Sequence, residues 1–128
     1  MFAIKAQITD LRATSFVFNR QKTMYGGKLI APGDVIFVFA SENEGGPGLI
    51  ARGVVTSAKA IARKPGIERQ TPRVSITVKR TARAKRRLGR SELKQLPDSE
   101  LNFKFYRQAT NKIVGILDEA ATFLAGFF

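Results

Sequence analysis

Apolar and polar positions alternate at the start of the chain. Phe2, Ile4, Ala6 and Ile8 interleave with Ala3, Lys5, Gln7 and Thr9, the period-two signature of a strand with one buried face. From Asp10 to Ile30 the pattern is mixed. Apolar Phe16 to Phe18 precede polar Asn19 to Thr23 and then Tyr25-Gly26-Gly27, which reads as a helical turn or two and loops. Pro32-Gly33-Asp34 is a turn signal, and the continuous apolar run Val35 to Ala40 suits a strand covered on both faces. After the loop Ser41 to Gly48, a second run from Leu49 to Val55 supplies its antiparallel partner, with Gly53 placed for a bulge or a close backbone approach.

Lys59 to Pro72 holds Arg63-Lys64-Pro65-Gly66 and Thr71-Pro72, marking an irregular connection or a distorted hairpin. Val74, Ile76 and Val78 alternate with Ser75, Thr77 and Lys79, giving another half-exposed strand. Arg80 to Arg90 reads as strand end and loop. Ser91 is placed to cap a short helix through Leu96 that Pro97 stops. Phe103 and Phe105, then Ile113, Val114 and Ile116, predict two more strands or one interrupted strand. Asp118 is a candidate N-cap, followed by Ala120, Phe123, Leu124 and Phe127 on one helical face. Five or six short strands, long loops, no helix-strand alternation and no internal repeat predict an α+β, mainly β, domain over 1–128. Its expected form is a small mixed sheet closed towards a barrel.

Charge changes this picture at one place. Twelve of the 22 Lys and Arg residues lie between Lys59 and Arg90 with a single acid, Glu68, so that stretch holds +11 of the +12 net charge. Lys79 to Arg90 alone carries seven cations and no acid. Such confined like charge is relieved by phosphate with release of counterions, which makes nucleic acid, RNA or DNA, the leading partner class. The backbone-holding candidates are Arg63, Lys64, Arg73, Lys79, Arg80, Arg83, Lys85, Arg86, Arg87 and Arg90. Phosphate contacts position a strand without reading it, so specificity needs other groups. Ser41 and Asn43, leaving a buried strand, are candidates for a pocket mouth. Tyr106, Arg107 and Gln108 offer an aromatic face, a planar cation and an amide for a base.

The chain has no Cys and no His, which removes thiolate metal sites, zinc sites and His-based triads. No cofactor, no metal and no catalytic residue is expected. A metal-dependent phosphodiesterase would need Asp34 with Glu92-x-Lys94, or Glu42 and Glu44, to converge on an ion. The last apolar run, Ala120 to Phe128, is far shorter than a membrane span, so the expectation is a cytoplasmic protein that does not enter a membrane. Phe123, Leu124, Phe127 and Phe128 are apolar beyond the needs of one helix face, which offers core packing or a homodimer contact. A protein-interaction or assembly module with an acidic partner is the alternative to nucleic-acid binding.

The order of these pieces resembles the PUA-like superfamily, and within it the EVE domains. The features that carry the resemblance are Pro32-Gly33-Asp34 with the run to Ser41, Pro47-Gly48 with the run to Val55, Ser91 to Gln95, and Tyr106 to Thr110 before a closing helix containing Glu119. The resemblance implies a pseudobarrel of five or six strands flanked by short helices. It also implies a pocket for a base, often a modified one. EVE domains usually place Trp residues in that pocket wall; this chain has none, and Asn19, Arg20 and Tyr25 are its nearest substitutes.

Overall fold

The computed structural model describes residues 1–42, 45–95 and 112–128, with the side chains of residues 90, 94 and 95 excepted. Six strands appear there: β1 (Phe2–Ala6), β2 (Ser15–Met24), β3 (Val35–Ala40), β4 (Gly48–Ala60), β5 (Arg73–Arg83) and β6 (Lys112–Gly115). A 3-10 turn at Gly27–Leu29 and two helices, α1 (Arg90–Gln95) and α2 (Asp118–Ala125), complete the described elements. The strands close into a barrel in the order β1-β3-β4-β5-β2-β6. The β1/β3 and β2/β6 contacts are parallel; the other neighbours are antiparallel.

The continuous apolar run of β3 has a direct cause. Successive side chains point to opposite faces of a strand, and here each face meets its own core. Ile36 and Val38 point into the barrel with Ile4, Val55, Val78 and Ile113. Phe37 and Phe39 point outward, where Leu88, Leu93, Leu124 and Phe127 cover them together with Ala3 and Val114. The opening strand follows the same rule: its Ala3 and Lys5 face is also buried, so it is covered on both sides rather than half exposed.

The segment expected to be helical turns and loops is instead the ten-residue strand β2. Phe16 and Phe18 are buried in the barrel, while Val17 between them stands 64% exposed, so three apolar residues in a row conceal a regular alternation. A bulge then breaks the period: the register with β5 shifts between Phe18 and Gln21, and Arg20 adopts φ 51. Thr23 is buried further along, its hydroxyl donating to the Pro72 carbonyl at 2.8 Å.

The β4/β5 pair is the predicted distorted hairpin, with 61–72 as its connection. Gly53 marks a close approach: a Cβ there would lie 2.7 Å from the Lys79 carbonyl oxygen, beside a register shift between Arg52 and Gly53. The closing helix packs the predicted face, with Ala120, Leu124 and Phe127 buried. Its N-cap is Leu117, without a side-chain cap. Asp118 and Glu119 occupy the first turn, where their charge complements the helix dipole. Ser91 likewise sits inside α1, which begins at Arg90. The expected strand at Phe103 and Phe105 and the stop at Leu96-Pro97 lie outside the described residues.

Candidate nucleic-acid interface

The basic stretch is one run in sequence and two groups in space. Ten strand steps separate Arg73 from Arg83, and at ~3.3 Å per step that places the two ends of β5 about 33 Å apart. Arg63, Lys64 and Arg73 belong to one end; Arg83, Lys85, Arg86 and Arg87 belong to the other, with Lys79 and Arg80 between.

At the first end, barrel closure assembles a row of charge that the sequence scatters. Lys22 of β2 pairs with Arg73 of β5 on one side and with Lys112 of β6 on the other. Cross-strand partners share a face, so three cations stand side by side. Like charges directly opposite each other in a ladder are destabilising. No carboxylate pairs with Lys22, Arg73 or Lys112 among the described residues.

The β2 bulge shapes the floor beside this row. The Arg20 backbone N–H donates to Ser75 Oγ at 2.9 Å, and the Arg73 guanidinium donates to the Arg20 carbonyl at 2.8 Å. These two bonds hold Arg20 in its left-handed conformation and orient Arg73. Gln21 Nε2 donates to the Asn19 carbonyl at 2.8 Å. A cavity of about 500 Å³ opens here, walled by Asn19, Arg20, Gln21, Lys22, Arg73 and Lys112, with Phe18 and Ala6 behind them. A second cavity of about 1010 Å³ lies under the 61–72 connection, bringing in Lys28, Arg63, Lys64 and Arg69. Arg20, Lys22 and Arg73 line both cavities. The larger one contains one acid, Glu68, whose backbone carbonyl accepts from Arg63 at 2.8 Å.

At the opposite end Arg86 and Arg87 have partners within the protein. Arg86 donates to the Gly126 carbonyl at the C-terminus of α2 (3.1 Å) and lies 4.6 Å from the ring centroid of Phe127. Arg87 pairs with Glu42 at 3.7 Å, and the Lys85 backbone N–H donates to the Phe127 carbonyl at 2.6 Å. Arg52 stacks 5.4 Å from the Phe128 ring. In the middle of the run Arg80 donates to the Arg12 carbonyl at 3.1 Å. Lys79, Arg83 and Lys85 have exposed side chains, and Arg90 contributes its backbone to α1.

Of the residues expected to hold a base, the structure brings Asn19 and Arg20 into the smaller cavity. Tyr25, at φ 52 on the turn after β2, lines neither cavity. The Ser41 backbone N–H donates to the Ala6 carbonyl at 2.9 Å, while its Oγ is buried without a partner among the described residues. A space walled by its chain neighbours Ala40 and Glu42, with Lys5, amounts to about 10 Å³, room for a single water; Ser41 itself does not line it. Asn43, Glu44, Tyr106, Arg107 and Gln108 lie outside the described residues. Sequence reasoning missed Lys22 and Lys112, since only the β2/β6 pairing makes them neighbours.

Asp34 accepts from the Ala31 N–H at 2.8 Å, closing its turn, and Glu42 faces Arg87. The terminal aromatics are packed: Leu124 and Phe127 are buried, Phe123 meets Phe127 edge-on at 5.4 Å, and Phe128 lies 5.9 Å from Phe37.

No protein-family model matches the chain, and no curated protein sequence matches it. Solved structures do. A Pseudomonas syringae protein is 18% identical over 99% of both chains, with a TM-score of 0.65. The DUF55 domain of human thymocyte nuclear protein 1 is 16% identical over 98% of this chain and 96% of that one, with a TM-score of 0.64. A second structure of that human protein, in complex with DNA containing 5-methylcytosine, is 14% identical over 98% and 95%, with a TM-score of 0.65. The fold is the PUA-like, EVE-type pseudobarrel.

Proposed function

We propose that this domain binds nucleic acid at the barrel end where β5, β2 and β6 bring Arg73, Lys22 and Lys112 into one row. The observation that carries the reading is that row: three like charges in register, with no described carboxylate between them, next to a 500 Å³ cavity. Phosphate oxygens supply the missing negative charge, with Arg63 and Lys64 extending the contact along the hairpin connection. The cavity at the β2 bulge accepts one base. Asn19 and Arg20 present an amide and a planar cation to its edge, and Phe18 lies in the wall behind them. The human structural neighbour in complex with DNA that contains 5-methylcytosine supports nucleic acid as the partner and makes a modified base a fitting occupant. Lys79, Arg83 and Lys85 lie beyond a Debye length of about 10 Å at 0.1 M salt from the row, so they add little to contact there.

Fluorescence anisotropy with short single-stranded RNA and DNA, with and without 5-methylcytosine, tests the reading. Affinity should fall with salt at a log-log slope of about −0.7 per phosphate contact. Lys22→Gln with Lys112→Gln should make that slope shallower by about 1.4. An absence of binding at low salt, or an unchanged slope in the double variant, overturns it.

A further inference from the structure

The two cavities are joined by the side chains they share. Arg20, Lys22 and Arg73 face a space of about 500 Å³ on one side and about 1010 Å³ on the other. A single base leaves the larger space unused. That space is prebuilt, because one side chain fixes the connection above it. Gln70 Nε2 donates to the carbonyls of Lys64 (2.7 Å) and Ile67 (2.9 Å), and its Oε1 accepts from the Lys64 N–H at 2.9 Å. Its walls are of two kinds: apolar Ile61, Ile67 and Pro72, and cationic Lys28 and Arg69. Apolar surface suits a sugar or a base face, and cations suit the phosphates on either side of it.

We infer that the ligand is a strand of at least two linked nucleotides, with the phosphodiester between them seated on the wall formed by Arg20, Lys22 and Arg73. One nucleotide enters the bulge cavity and its neighbour lies under the 61–72 connection. This rests on the nucleic-acid reading above and adds a second subsite to it. The second subsite accepts any base, because the amide of Gln70 is already engaged with the backbone and reads nothing.

The test is competition of a labelled hexanucleotide by three unlabelled probes at 0.1 M salt: a nucleoside 5′-monophosphate, a 5′-phosphorylated dinucleotide and a nucleoside 5′-triphosphate. The dinucleotide is expected to compete about tenfold better than the monophosphate and better than the triphosphate, although the triphosphate carries at least as much charge. Lys28→Gln with Arg69→Gln, both on the exposed connection or turn, should remove most of the dinucleotide's gain over the monophosphate. A dinucleotide no better than the monophosphate overturns the inference while leaving the nucleic-acid reading intact. A triphosphate equal to the dinucleotide also overturns it, because charge alone would then explain binding. Failure of the hexanucleotide to bind overturns both.

Discussion

The two ends of the basic hairpin carry similar charge and put it to different use. At the 83–87 end two of the four cations meet groups of the protein itself: Arg86 meets a helix C-terminus and an aromatic ring, and Arg87 meets Glu42, while the side chains of Arg83 and Lys85 are exposed. At the 63–73 end Arg63 and Arg73 donate to backbone carbonyls, but Lys22, Arg73 and Lys112 stand side by side across a ladder, with no described carboxylate paired to them, beside open space. A count of lysines and arginines cannot separate these cases, because what differs is the position of the counter-charge in three dimensions. The anion is therefore proposed to sit at the end with less charge in the sequence.

The largest effect should come from removing the lysines of the row together with Lys64 beside it. Lys22→Gln, Lys64→Gln and Lys112→Gln together remove three contacts, about two log units or a hundredfold in affinity for single strands at 0.1 M salt. The matching variant at the other end, Arg83→Gln with Lys85→Gln and Arg87→Gln, should lose only a few-fold in the same anisotropy assay. Equal losses would erase the distinction between the ends.

A smaller effect, in the opposite assay, should come from Arg86→Ala. It removes a cation–π contact and a charged hydrogen bond at the end of α2, together about 1–2 kcal/mol. That is a drop of roughly 4–8 °C in thermal midpoint for a domain of this size, with nucleic-acid affinity unchanged at 25 °C. A midpoint equal to wild type shows that Arg86 is not spent on the helix. Gln70→Ala comes next. It frees the 61–72 connection, which should cost several-fold in oligonucleotide affinity and appear as faster amide hydrogen exchange at residues 64–70 alone. The least effect belongs to Arg87→Gln. The ion pair is long and the Arg87 side chain is 70% exposed, so its loss should change stability by about 0.5 kcal/mol or less in urea unfolding.

The barrel was legible in the sequence where one residue type repeats on one face. The run Val35 to Ala40 announced cover on both sides, and the structure supplies it from the barrel interior and from α2. β2 was not legible, because an exposed Val17 and the bulge at Arg20 each erase part of the period. The candidate site was legible only in pieces. Arg63, Lys64 and Arg73 were named from the charge run and Asn19 and Arg20 from the family resemblance, whereas Lys22 and Lys112 become neighbours only through a parallel pairing between distant segments. Arg86 shows the reverse: its partner carbonyl, at Gly126, is 40 residues away, so its contacts within the protein cannot be read from the basic run. Ser41 was expected at a pocket mouth; its hydroxyl is buried without a partner among the described residues, and its neighbour Asn43 lies outside them.

The most direct test of the difference between the ends is lysine-reactivity footprinting with a short oligonucleotide, read by mass spectrometry on the unmutated protein. Lys22, Lys64 and Lys112 should lose reactivity on binding, while Lys79 and Lys85 keep theirs. Protection of Lys79 and Lys85 with Lys22 and Lys112 still fully reactive would place the nucleic acid at the other end of the hairpin and contradict the account.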